Sequence, residues 1–237
     1  MSSVGDARRT ELAANLAAVR RRIEAACSAA GRPAGDVTLI AVTKTFPVSD
    51  VRLLAGLGVR DIGENRDREA AAKAAACADL GVRWHFVGQV QTNKARSVAS
   101  YAHVVHAVDR PRLVAALDQA AQRADRRLTC LVQVDLDPDP DPRRGGAQPD
   151  AVPGLAAAIA GSASLDLGGV MAVAPLAGPP AAAFERLAAV AEALRRNHPE
   201  ATIVSAGMSG DIEVAVATGA THVRVGTAVL GARPPLG

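Results

Sequence analysis

The chain has 237 residues, 49% hydrophobic and 22% charged, with 27 basic and 24 acidic side chains and a formal net charge of +3. That length and apolar content can build a sizeable core and exclude collagen-like, disordered and coiled-coil classes; the small net charge gives no reason to invoke nucleic acid or a membrane surface. Aromatics are only 2%, so the core must come from Ala, Val, Leu and Ile, and lysine is scarce: Lys44, Lys73 and Lys94 stand against twenty-four arginines.

The first predicted element is a long helix over 8–30, preceded by no apolar stretch of the signal type. No segment approaches the run of about 20 apolar residues that a membrane helix needs. Cys27, Cys77 and Cys130 lie far apart, without C-x-x-C or histidine at ligand spacing, which fits a reducing compartment and excludes a zinc site or disulfide frame. The expectation is a soluble cytoplasmic protein without a metal.

From residue 37 the chain alternates. Short β-branched or apolar runs at 37–44, 60–65, 84–88, 103–109, 128–137, 167–175, 202–209 and 222–231 read as strands. Amphipathic Ala/Leu/Arg segments at 48–57, 66–79, 93–100, 111–124, 149–160, 180–197 and 211–219 read as helices. Eight strands alternating with helices in a chain near the usual size of about 250 residues predict a (β/α)8 TIM barrel with an additional N-terminal helix, one domain over 1–237 with the barrel at about 37–233. A doubly wound sheet is the alternative, but no G-x-G-x-x-G follows the first strand. The Asp/Pro-rich stretch 135–146 mimics a calcium loop. Its alternating prolines deny the sharp turn, so it reads as an extended solvated loop.

Lys44 ends the first strand in LIAVTKTFP, at the strand end where barrel chemistry sits. Alternation puts Ile40, Val42 and Lys44 on one side. If that side faces inward the ammonium is desolvated, and such a lysine can form a Schiff base with an aldehyde. Two later segments look suited to a phosphate: the Gly-Met-Ser-Gly turn of SAGMSGDIEVAV, with the Ser209 hydroxyl at a helix start, and Gly226-Thr227 near the end of strand eight. Both fall after strands seven and eight, where barrels of this kind place phosphate sites. Asp211 is read as a cap. Arg224, inside strand eight, is either paired with a carboxylate at the mouth or set against a pyridine nitrogen. His85, Trp84 and Phe86 read as core, and Lys94 and Lys73 as surface lysines.

The segments AVTKTFP, DIGENRDREA, WHFVGQVQTNK, HAVDR, GVMAV and SAGMSGDIEVAVATGATHVRVGTAVLGARP, in that order, resemble the pyridoxal phosphate homeostasis family, which shares the barrel of the alanine racemase N-terminal domain. The resemblance implies pyridoxal 5′-phosphate held as a Schiff base on Lys44. It also implies Ser209, Gly226 and Thr227 at the phosphate, Arg224 at the ring nitrogen and Asn65 close by. The chain departs from the family's usual residues at Arg66-Asp67-Arg68-Glu69, at Leu230 and at Arg143-Arg144-Gly145-Gly146; these departures read as loop contacts.

Three functions follow, in order of preference. The first is a non-catalytic holder of pyridoxal phosphate and related B6 vitamers, monomeric, with apo-enzymes that need the cofactor as partners. The second is an amino-acid racemase, which needs a second acid/base opposite the lysine; the sole tyrosine, Tyr101, precedes strand four and belongs to the other end of the barrel, so this reading is disfavoured unless another residue such as His85 substitutes. A Schiff-base aldolase, which pairs a barrel lysine with a phosphate site, is third.

Overall fold

The computed structural model describes residues 3–137, 145–175 and 178–232. The segment 138–144, with most of the Asp/Pro stretch, Arg143 and Arg144, lies outside the described residues, as does Arg233.

Eight parallel strands close a barrel in chain order: β1 (Thr38–Val42), β2 (Asp61–Glu64), β3 (Arg83–Phe86), β4 (Val104–Val108), β5 (Leu128–Gln133), β6 (Leu165–Met171), β7 (Ile203–Ser205) and β8 (His222–Val225). The last strand returns to the first in the register Thr38↔His222 to Ala41↔Val225. The helices are α1 (Ser3–Ala29), α2 (Val48–Gly56), α3 (Asp67–Ala76), α4 (Ala95–Tyr101), α5 (Pro111–Arg123), α6 (Val152–Ala160), α7 (Pro180–Asn197), α8 (Ile212–Ala217) and α9 (Thr227–Leu230). Pro111 and Pro180 open their helices, where a missing N–H costs nothing. This is the barrel with an extra N-terminal helix that the alternating pattern predicts.

Several strands are shorter than their apolar runs. Strand β5 stops at Gln133, after which only an isolated bridge, Val134↔Ala147, continues the pairing. Strand β8 stops at Val225, and the apolar run 227–230 is a helical turn. The reason is the partner: β1 pairing ends at Ala41↔Val225, so the following backbone satisfies itself locally, with Leu230 N–H donating to the Gly226 carbonyl at 2.9 Å and Gly231 N–H to Thr227 at 2.9 Å.

The main core is the layer between barrel and helices, where the outward residues of the strands, Trp84 and Phe86 among them, meet the helix faces. The inside of the barrel is divided. Val104, Ala107, Leu131 and Met171 pack together on one side with Ile203. The other side is polar: Asp61, His85, His106, Ser205 and Arg224 are all buried. His106 on β4 bonds Ser205 on β7 at 3.0 Å; these strands are not neighbours, so that bond crosses the barrel interior.

Helix α1 buries Leu12, Leu16, Val19, Ile23 and Cys27 against the barrel's outer layer. Its polar residues hold the last two helices. Arg8 donates to the Leu230 carbonyl at 2.9 Å and Asn15 to Val229 at 3.2 Å. Arg22 pairs with Glu213 at 2.8 Å, and Arg32, just beyond the helix, donates to the Val216 and Ala220 carbonyls. Arg22 also donates to the Ser209 carbonyl at 3.0 Å, so α1 reaches the turn before α8.

Candidate functional site

At the C-terminal ends of the strands lies a cavity of about 380 Å³, within the size range of small-molecule sites. Lys44, Asn65, Ser209, Arg224, Gly226 and Thr227 all line it. Six residues separated by up to 183 positions in the chain thus converge on one space, because each follows or closes a barrel strand. Sequence reasoning missed Val87, Gly88 and Val173, which complete the wall together with Val42 and with Met208 and Gly210 of the expected phosphate turn. Val173 and Met208 are 38% and 41% exposed, the large apolar side chains most open to solvent among the described residues, and both form the lip of this cavity. That coincidence emerges only in the fold, since an exposed apolar side chain is not visible in a sequence.

Lys44 sits two residues beyond β1, in a turn, with Val42 on the same side and also lining the cavity. The ladder carries on as far as Thr43, whose N–H donates to Gly63 at 2.9 Å. Thr43 therefore points outward and Lys44 into the mouth. Thr45 then takes φ +70, a strained conformation for a non-glycine residue. What holds this turn is Lys73, which the sequence reading placed on the surface and the structure places 4% exposed. Its Nζ donates to the Thr43 carbonyl at 2.7 Å, to Glu64 Oε1 at 2.7 Å and to Glu69 Oε1 at 2.6 Å. Glu69 also accepts the Thr45 N–H at 2.6 Å, and Glu64 the Thr43 hydroxyl at 2.6 Å. Burial raises Glu64 above its ordinary carboxylate value, with Lys73 and Thr43 opposing. Glu69 thus braces the lysine turn directly.

Arg224 is buried, and its guanidinium donates to the Ser205 carbonyl (2.8 Å), the Ser205 hydroxyl (2.7 Å) and the Ala172 carbonyl (2.8 Å). None of these three acceptors is a carboxylate. Burial pushes its pKa down to about 10, against a smaller opposing effect of Asp211, and leaves it charged at neutral pH. Gly226 brings the backbone close: a Cβ there would stand 3.4 Å from the Val42 carbonyl oxygen. On the far wall, a Cβ at Gly88 would lie 2.4 Å from the Asn65 carbonyl oxygen, so only glycine lets these two loops touch. The Asn65 side-chain Oδ1 is buried and has no hydrogen-bond partner among the described residues.

Other expected positions fall elsewhere. Asp211 precedes α8, but its carboxylate accepts the Met208 N–H rather than a helix amide, so it closes the Met208–Gly210 turn instead of capping. His85 lies inside the barrel, 2% exposed, and does not line the cavity. Tyr101 is buried against α3, its hydroxyl 3.4 Å from Asp67, and is likewise absent from the cavity wall. Lys94 is half exposed, 3.9 Å from Asp67. Among the described residues no group of His, Cys, Asp and Glu could hold a metal ion, and no helix is long and apolar enough to cross a membrane.

Residues 14–234 match the family described as alanine racemase, N-terminal domain. A pyridoxal phosphate homeostasis protein of Mycobacterium tuberculosis (strain H37Rv) is 46% identical over 95% of this chain and 94% of its own. The structure of PipY from Synechococcus elongatus with pyridoxal phosphate bound superposes with a TM-score of 0.79 at 34% identity, covering 93% of this chain and all of that one. Alanine racemase from Corynebacterium glutamicum shares the fold, with a TM-score of 0.67 at 16% identity over 97% of this chain and 62% of that one.

Proposed function

This chain belongs to the pyridoxal phosphate homeostasis family, built on the alanine racemase N-terminal domain, and on that footing we propose that it binds pyridoxal 5′-phosphate at the barrel mouth, covalently through Lys44, and serves vitamin B6 homeostasis without catalytic turnover. The observation that carries the reading is the convergence of a lysine, an arginine and two glycine-and-hydroxyl turns on one cavity. The residues fit the group. Ser209 and Thr227 supply hydroxyls, and the Gly226 backbone, with no side chain in the way, supplies close approach for a phosphate. The lip of Val173 and Met208 supplies apolar cover for a ring, and the buried Asn65 Oδ1, without a partner among the described residues, supplies a polar contact within reach of the cavity.

When bound, pyridoxal phosphate supplies an aldehyde that condenses with a lysine amine and a conjugated ring that draws electrons from the attached carbon. Lys44 would form the covalent bond, its position fixed by the Lys73–Glu69 brace on the preceding and following residues. Arg224 would stand against the ring nitrogen. A guanidinium cannot give up its proton near neutral pH, so Arg224 would leave that nitrogen unprotonated and electron withdrawal weak. That arrangement suits a holder of the cofactor.

Racemase chemistry needs a proton donor and acceptor on each side of the substrate carbon. The only tyrosine of the chain is engaged with Asp67, and His85 is shut inside the barrel, so neither supplies the second group. Partners in this reading are B6 vitamers and apo-enzymes that need the cofactor, with the protein acting as a monomer. The three thiols, each free and buried, fit a reducing compartment, and the cytoplasm is the location we assign.

The test is the absorption spectrum of the purified protein before and after borohydride, with the reduced adduct mapped by peptide mass spectrometry. A visible band and an adduct on Lys44 are expected. A colourless protein that takes up no added pyridoxal phosphate would overturn the reading and favour a phosphate-sugar aldolase.

A further inference from the structure

The polar half of the barrel interior is a single line of hydrogen bonds running from the cavity to the opposite end. Arg224 Nη1 lies 2.7 Å from Ser205 Oγ, and Ser205 Oγ lies 3.0 Å from His106 Nδ1. His106 Nε2 is 2.9 Å from His85 Nδ1, and His85 Nε2 is 2.9 Å from Asp61 Oδ1. Asp61 opens β2 at the N-terminal end of the barrel, where Arg83, 58% exposed, donates to the same oxygen at 3.0 Å. The line crosses strands β8, β7, β4, β3 and β2, and every member except the Arg83 end is buried.

Its two ends fix the direction of every proton in it. A guanidinium only donates, so Ser205 Oγ accepts from Arg224; a carboxylate only accepts, so His85 carries a proton on Nε2. A neutral His85 then has a bare Nδ1 and accepts from His106 Nε2–H. His106 in turn has a bare Nδ1, and the Ser205 hydroxyl donates to it. The opposite order demands an additional proton on His85. Burial drives both histidines toward the neutral form, His106 most strongly with His85, Arg224 and His222 adding to the effect, while Asp61 partly opposes at His85. Burial also pushes Asp61 toward protonation, but His85 and Arg83 outweigh it and keep the carboxylate below its ordinary value. Aligned donors of this kind polarise one another.

We propose that Asp61, His85, His106 and Ser205 are positioning residues for Arg224: a one-way hydrogen-bond line anchored on the Asp61 carboxylate at the far end of the barrel holds the guanidinium at the cavity. This explains how a fully buried arginine is tolerated although its direct acceptors are two carbonyls and a hydroxyl. Among the described residues no carboxylate bonds Arg224 directly, so none competes with an incoming acceptor for its N–H groups. The role toward the cofactor rests on the assignment of Arg224 to the ring nitrogen; the proton arrangement does not.

The decisive experiment is long-range proton–nitrogen NMR of the full-length protein, labelled with ¹⁵N-histidine and freed of cofactor, at pH 7. His85 and His106 are both expected as neutral Nε2–H tautomers; an Nδ1–H tautomer or an imidazolium at either overturns the line, whether or not pyridoxal phosphate binds. Transmission is read with Asp61→Leu and Asp61→Asn. Asp61→Leu should raise the Kd for pyridoxal phosphate roughly two- to tenfold, about the worth of one hydrogen bond, and shift the visible band. Asp61→Asn, which still offers His85 an oxygen, should restore both. Wild-type Kd and band in a folded Asp61→Leu protein would overturn the positioning role. If Asp61→Leu does not fold, the wild-type tautomers still decide the arrangement, and a change of band in Asp61→Asn as large as that caused by Ser205→Ala would overturn the role of the oxygen acceptor.

Discussion

At the scale of single residues, the turn that carries Lys44 is held by a buried ion cluster, and that cluster predicts a large penalty. Removing one partner of a buried pair strands the others, which costs about 3–5 kcal/mol. Lys73→Met should lower stability by that amount at pH 7 in urea denaturation, because Glu64 and Glu69 lose their shared cation. Adding Glu64→Gln should recover part of the loss; a Lys73→Met protein of unchanged stability would contradict the cluster. A second residue-scale prediction concerns Gly88. The Cβ of Gly88→Ala would meet the Asn65 carbonyl oxygen at 2.4 Å, so the loops must part at a cost of about 1–3 kcal/mol. The same shift should weaken ligand binding, measured by titration with pyridoxal phosphate. Lys73 also shows where single-residue reading fails. A lone lysine in an alanine-rich stretch looks solvated, and its i,i+4 partner Glu69 looks like an ordinary surface pair. Only the position of Glu64 on the neighbouring strand reveals the burial.

At the scale of elements, the helix before the barrel acts on the turn at its far end. Arg22 donates to the Ser209 carbonyl and pairs with Glu213, which ties α1 to the Met208–Gly210 turn. Arg22→Ala should raise the Kd for pyridoxal phosphate roughly two- to fivefold, with the borohydride adduct still on Lys44. Unchanged affinity would leave α1 a purely packing role. The elements themselves were largely legible, because parallel strands buried on both faces read as apolar runs and their crossovers as amphipathic stretches. What the pattern could not show was where each strand stops. Thr227–Leu230 is as apolar as the strand before it and folds as helix because its pairing with β1 ends at Ala41↔Val225. Pairing is a property of two segments, and one segment does not announce it.

At the scale of the molecule, the interior is unusually rich in histidine for so apolar a chain, and this sets a pH response. Burial lowers His85, His106 and His222, the last to about 4. In the unfolded chain they titrate near 6.5, so stability is full above that value and falls as the pH drops toward the folded values. His222 alone accounts for a loss on the order of 3 kcal/mol by pH 4. Urea denaturation between pH 7 and pH 5 should show a steady decline, and His222→Gln should flatten part of it; equal stability at both ends would refute the neutral interior. The convergence of Lys44, Asn65, Ser209, Arg224, Gly226 and Thr227 was legible once the barrel was assumed, since barrel topology brings strand ends together. The interior line of histidines was not, because its links join strands whose mutual register no single sequence encodes.

The pairing of β8 with β1 makes the barrel a ring with a seam, and the cavity straddles it. Lys44 lies on one lip of the seam, Arg224, Gly226 and Thr227 on the other, and α1 laces across the outside to α9. A molecule bound to both lips therefore acts as a stitch. Occupancy and closure of the ring are linked, each favouring the other by the same free energy. Read in reverse, any encounter that eases the first and last strands apart lets go of the cargo without touching it.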